Sequence, residues 1–144
     1  MRKKVVLICD SDRATVRSLS AEFQLAGLNV ETAFDLESAV AQMDQRLPDL
    51  LCVDLELSSP EGLSVFQMLS TDQLAARVPG IALVRRIDEE VLVRTASMCV
   101  YPVARDAQAS RWIDCLTEEL LGTARRDVAR RAADDDGGFE GSCG

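Results

Sequence analysis

The stretch "PDLLCVDLELSSPEG", residues 48–62, is apolar from Leu50 to Val53, stops at Asp54, and reaches a Pro–Glu–Gly turn a few residues later. A short unbroken apolar run bounded by turn residues reads as a strand buried on both faces. Such a strand has no wet face on which to leave a carboxylate. Asp54 is therefore either a cap on the strand end or a reactive group held at the rim of a sheet, and the surrounding sequence must decide between them.

The flanking segments repeat the pattern. "VVLIC" (5–9) is another solid apolar run, and it too is followed by a carboxylate, Asp10. "ATVRSLSAEFQLAG" (14–27) places Val16, Leu19, Phe23 and Leu25 near helical spacing before Gly27, a natural helix stop. "NVETA" (29–33) reads as an edge-like strand, and "DLESAVAQMDQ" (35–45) as a helix capped by Asp35. "DLLCVD" is the third strand, "EGLSVFQMLS" (61–70) a helix, "GIALV" (80–84) the fourth strand, "DEEVLVRTAS" (88–97) a short helix and "MCVYP" (98–102) the fifth strand. "DAQASRWIDCLTEELLG" (106–122) closes the series as a helix, with Trp112, Ile113, Leu116, Leu120 and Leu121 facing inward.

Five apolar strands alternating with helices predict an α/β fold: a five-stranded parallel sheet, doubly wound, with right-handed crossovers covering both faces. Sites in such sheets lie outside the carboxyl ends of the strands, where strand order reverses. Asp10 and Asp54 both fall at such ends.

Composition narrows the function. At 144 residues and 47% hydrophobic, the chain fits one domain with a real core. A net charge of −8 opposes general affinity for a nucleic-acid backbone. No apolar run approaches the roughly 20 residues of a spanning helix, and "MRKK" leads straight into a strand without a cleavage pattern. These features predict a cytoplasmic protein with neither nucleic acid nor membrane as partner. The chain has no histidine, and its cysteines (Cys9, Cys52, Cys99, Cys115 and Cys143) form no C-x-x-C pair, which excludes the usual zinc spacings and histidine-based catalysis. Cys9, Cys52 and Cys99 sit in apolar runs and read as small buried hydrophobes. "CDSDRAT" follows the first strand where a nucleotide or flavin binder would carry a glycine-rich loop.

After Gly122 the character changes. Residues 1–122 read as the domain, 123–133 as an arginine-rich helical extension, and 134–144 as an acidic, glycine-rich tail too poor in apolar residues to stay ordered. The arginines of "RRDVARR" (125–131) read as a solvated helix end with cations against its negative dipole, the alternative being a partner-binding face.

The order "VVLICDSD", "PDLLCVDLELSSPEG", then "VYP" before a last helix resembles the receiver domain of bacterial two-component response regulators, over residues 4 to about 121. The resemblance implies the flavodoxin-like (βα)5 fold and makes Asp54 the phosphoacceptor position, with Pro48–Asp49 before it and Glu61–Gly62 after it. Receivers use magnesium to neutralise a carboxylate that attacks a phosphoryl group. They supply hard oxygen ligands from an acidic pair after the first strand, from the acceptor, and from a backbone carbonyl two residues beyond it. A hydroxyl after the fourth strand and a lysine after the fifth bind phosphoryl oxygens.

By that resemblance this chain is degenerate. The acidic pair reads Asp10–Ser11, with Asp12 one position late. The hydroxyl position falls on Val84, or on Arg85 if the register slips, and the lysine position on Tyr101, which carries no cation at neutral pH. Arg85 has the charge and fork to stand in for that lysine, but "RR" in a loop between strand and helix reads first as simply solvent-exposed. Asp10, Asp54 and the carbonyl of Glu56 remain as metal ligands, so the expectation is no cofactor beyond weakly held magnesium. The implied function is a stand-alone receiver-like domain, not an enzyme, that acts as an adaptor by contacting another signalling protein such as a histidine kinase. The alternative is a single-domain regulator that accepts a phosphoryl group from a histidine kinase on Asp54.

Overall fold

The structure, a computed structural model, describes residues 3–57, 78–96 and 100–122. Its elements are β1 (Val5–Cys9), α1 (Arg13–Leu25), β2 (Asn29–Ala33), α2 (Leu36–Gln45), β3 (Leu50–Asp54), β4 (Gly80–Val84), α3 (Glu89–Ala96), β5 (Val100–Ala104) and α4 (Ala109–Leu121). The helix expected over 61–70, Cys99, and the segments 123–133 and 134–144 lie outside the described residues.

The strands form one sheet in the order β2-β1-β3-β4-β5, and every neighbouring pair is parallel. The doubly wound α/β expectation holds. All five residues of β1, β3 and β4 are buried, as strands covered on both faces require. Strand order reverses between β1 and β3, so the crevice at their carboxyl ends is the switch point of the sheet.

Side chains alternate across the sheet with a period of two, and the core divides accordingly. On one face Val6, Ile8, Leu50, Cys52, Ile81, Leu83 and Val103 pack with Val16, Leu19 and Phe23 of α1 and with Ile113 and Leu116 of α4. On the other, Leu7, Cys9, Leu51 and Val53 pack with Leu36 and Ala39 of α2. Phe23 is fully buried and meets Trp112 edge-on, with ring centroids 6.0 Å apart, which joins the two helices on the first face.

The helix ends follow from their capping residues. Asp12 caps α1 by accepting the Ala14 amide, and Asp35 caps α2 by accepting the Ser38 amide. Asp88 accepts the Val91 amide at the start of α3. Gly27, at φ 92°, turns the chain out of α1 as its sequence position predicts. The Asp49 carboxylate accepts the first amide of β1, from Val5, at 2.8 Å, so the residue before β3 ties the neighbouring strand at its start.

Two expectations need correction. Leu25 does not join the core face of α1; it is exposed, because two positions past Phe23 carry it about half a turn around the helix. Ala26 and Leu28 fill that space instead. The second concerns the end of β5, which does not stop at Pro102 but runs on to Ala104. Proline lacks an amide to donate, and that suggests a strand end. β5 lies at the sheet edge, paired only with β4, where one missing donor is tolerated.

The aromatic joint makes a direct prediction. Phe23→Ala removes a fully buried ring and should cost about 3–5 kcal/mol, read as a lower urea midpoint at unchanged slope, whereas Leu25→Ala should leave the midpoint nearly unmoved.

Candidate functional site

The register fixes which side chains meet at the carboxyl ends. Ile8 is level with Cys52 and Cys9 with Val53, so Asp10 and Asp54 emerge side by side, one pleat beyond the core on the same sheet face. Asp54 is level with Leu83, and Leu83 with Val103. Arg105 is two residues past Val103, so it points to that same face from just beyond the end of β5. Its amide continues the ladder by donating to the Val84 carbonyl at 2.8 Å.

The Arg105 guanidinium lies between the two carboxylates. Its Nη1 is 2.9 Å from Asp10 Oδ2 and 3.2 Å from Asp54 Oδ2. Nη2 donates to the Thr15 hydroxyl at 3.3 Å and stands 4.0 Å from Asp12 Oδ2. The remaining carboxylate oxygens are also engaged: Asp10 Oδ1 accepts the Asp12 amide and Asp54 Oδ1 the Glu56 amide, each at 2.9 Å. One arginine thus joins the ends of β1, β3 and β5 to the first turn of α1.

Burial determines what this pairing is worth. The Asp10 and Asp54 side chains are 1% and 12% exposed and the Arg105 side chain 25%. Exposed ion pairs contribute under about 1 kcal/mol, whereas removing one partner of a buried pair costs roughly 3–5 kcal/mol. The Arg105 pairs stand nearer the buried limit. Burial pushes the Asp54 carboxyl above the usual carboxylate range; the Glu56 amide and Arg105 oppose this, and the Asp10 charge adds to it. Burial also works against the Arg105 charge, yet its hydrogen bond to Asp10 and the charges of Asp10, Asp54 and Asp12 hold its pKa above the ordinary value.

The sequence-predicted residues separate into two groups. Asp10 and Asp54 come together as expected. Asp12 and Ser11 line the same hollow, of about 450 Å³, but both are exposed, and the Asp12 carboxylate is occupied by the Ala14 amide and the Thr15 hydroxyl. The Glu56 side chain is exposed and pairs with Arg85 at 3.4 Å. Arg85, 83% exposed, is thereby engaged outside the carboxylate pair. Val84 is buried and pairs with Ala104.

Tyr101 is misplaced by the sequence reading. It is level with Ile81 and Cys52, one pleat short of Asp54, and packs against the core. The cation expected to be missing from the end of β5 is present, four residues later, as Arg105. The alternation Tyr101, Val103, Arg105 along one strand face was the signal that could have found it. Cys9 and Cys52 are buried, as expected. Burial, with the Asp35, Asp10 and Asp54 charges, pushes the Cys9 thiol up to about 12, and burial pushes Cys52 up as well, so neither is a nucleophile at neutral pH.

Magnesium needs several free hard oxygens in near-octahedral array. Among the described residues no group of three acidic or other ligating side chains is arranged to hold a metal, and the two buried carboxylates direct their outward oxygens at a guanidinium. With Arg105 seated, the described residues do not fit the ion.

A doubly wound sheet with a carboxylate at its switch point and a cation from the last strand defines a receiver-type signalling module. Residues 6–101 match the response regulator receiver domain, and the chain belongs to that family. The match stops before Arg105. The chain is 35% identical over 78 residues to the DNA-binding dual master transcriptional regulator RpaA of Synechocystis sp., covering 54% of this chain and 32% of that protein. It is 29% identical over 83 residues to the response regulator PleD of Caulobacter vibrioides, covering 58% and 18%. The aligned region therefore spans a third or less of these relatives. Among solved structures, a putative response regulator from Chloroflexus aurantiacus superposes with a TM-score of 0.72 at 21% identity, covering 85% of this chain and 100% of that one. A CheY-like receiver from Methanospirillum hungatei gives 0.71 at 17%, covering 91% and 99%. Both show the same fold. Among the described residues no helix is long and apolar enough to cross a membrane.

The caps set an acid limb of stability. Hydrogen bonds from Thr15 and Ala14 hold Asp12 below its ordinary 3.8, and Ser38 does the same for Asp35. Carboxyls with lowered folded-state pKa bind fewer protons folded than unfolded, so their contribution is complete above about 3.8 and is lost as pH falls below it. Melting temperature should drop through that window, and the double variant Asp12→Asn/Asp35→Asn, which keeps capping oxygens but cannot titrate, should flatten the drop.

Proposed function

We propose that this protein is a receiver-fold signalling module that works by contacting another signalling protein, with its Asp54 pocket set by Arg105 and not by phosphorylation. The observation that carries this reading is the guanidinium seated between Asp10 and Asp54. A carboxylate whose outward oxygen is held by a cation, with no cluster of three ligating side chains among the described residues, is poorly placed to attack a phosphoryl group: the negative charges of nucleophile and phosphate then have no divalent ion to bring them together. The Ser11 hydroxyl and the engaged Asp12 carboxylate support the degenerate reading. The partner would be a protein such as a histidine kinase or a downstream regulator; the net charge of −8 argues against nucleic acid.

A second reading has one observation in its favour. Asp54 opens onto the hollow beside Arg105, and a guanidinium fork is suited to phosphoryl oxygens. That would make the domain a phosphorylatable switch.

Intact-mass analysis after incubation with acetyl phosphate and magnesium separates the two, with Asp54→Asn in parallel. The proposed function predicts no phosphoryl adduct on either protein. An adduct on the wild type that Asp54→Asn abolishes would establish the switch.

A further inference from the structure

We infer that Arg105 is a built-in stand-in for the divalent cation, so that a tethered guanidinium bridges the Asp10–Asp54 pair and offsets half its charge, and the folded protein takes no magnesium there. This deepens the functional reading above and rests on its placing the site at Asp54.

The geometry supplies the argument. A receiver-type pocket with two adjacent buried carboxylates must be neutralised by something. Here Nη1 of Arg105 meets both, at 2.9 and 3.2 Å. The other oxygen of each carboxylate accepts a backbone amide two residues on, which fixes the rotamers so that both Oδ2 atoms face the guanidinium. Arg105 is placed in turn by its own amide on the Val84 carbonyl and by Nη2 on the Thr15 hydroxyl. Thr15 donates to Asp12 Oδ2, so the Asp12 carboxylate is tied to the helix cap and Arg105 is left to the Asp10–Asp54 pair.

Tethering is what lets a single positive charge compete with a double one. The guanidinium is part of the chain and is already ordered by strand pairing, so seating it costs little association entropy. Magnesium gives up its waters reluctantly and would have to evict the guanidinium from two carboxylates to gain two ligands. The consequence is a domain whose pocket has the same charge state at any magnesium concentration, and whose surface beside it is not reset by the ion. Arg105 here is a positioning residue for β1, β3, β5 and α1.

Thermal unfolding of the full chain in EDTA and across magnesium chloride up to 20 mM on a ~0.1 M sodium chloride background tests this, for wild type, Arg105→Gln and Asp54→Asn. The wild-type melting temperature should not respond to magnesium. Arg105→Gln should melt lower in EDTA and recover saturably as magnesium fills the vacated pocket. Should Arg105→Gln fail to fold, titration calorimetry of magnesium into the wild type gives the same answer: no binding heat supports the inference, and saturable heat that Asp54→Asn removes overturns it. A saturable rise in the wild type that is lost in Asp54→Asn also overturns it, as does an Arg105→Gln that folds and ignores the ion. These outcomes are separate from those for the proposed function. A phosphoryl adduct formed equally in EDTA would defeat phosphorylation-independence and leave the tethered cation standing, whereas a wild-type magnesium response defeats the tethered cation alone.

Discussion

Two carboxylates at the ends of adjacent parallel strands, both nearly dry, repel each other and lose the hydration that would screen them. Everything at the carboxyl edge of this sheet is arranged around that constraint. The sheet needs β1 and β3 side by side, because they are the inner strands onto which both helical layers pack. Their alternation puts Asp10 and Asp54 on the same face. One guanidinium meets the two outward oxygens and two backbone amides meet the inward ones. The chain around Arg105 serves that meeting: β5 must run on to Ala104 to deliver it, and the first turn of α1 receives its second nitrogen through Thr15.

This changes how the departures from the receiver pattern are understood. Ser11 in place of a carboxylate removes one negative charge beside the pocket, and the Asp12 carboxylate is satisfied at the helix cap. Arg105 then leaves the Asp10–Asp54 pair with one net negative charge where an unbridged pair would have two. Arg85, the cation that sequence reasoning singled out, serves a different pair on the surface, with Glu56. Loss of an acid and provision of a forked cation are thus parts of one electrostatic solution, where the sequence pattern suggested separate defects.

The fold was largely legible from the chain because its signals are redundant. Four apolar runs and an edge-like fifth strand, an aspartate cap at Asp35 and a glycine stop at Gly27 each point to the same alternation of strand and helix, and Asp54 stands out as a carboxylate terminating a buried run. The pocket was legible only in half. Asp10 and Asp54 are marked by the strands they end, but Arg105 stands in "VARDAQ", which resembles a loop once Pro102 is taken as the end of β5. A proline excludes a central strand and leaves an edge strand open, and edge position is a property of the sheet order that local sequence does not carry. Leu25 failed for a simpler reason: helical spacing was matched loosely, and two residues past Phe23 is the wrong side of the helix.

The most direct test of the account is a high-resolution crystal structure of the full chain grown in about 20 mM magnesium chloride. The account predicts the Arg105 guanidinium between Asp10 and Asp54, within hydrogen-bond reach of both, with no ion on either carboxylate. A magnesium ion coordinated by Asp10 and Asp54, with Arg105 turned out into solvent, would contradict it.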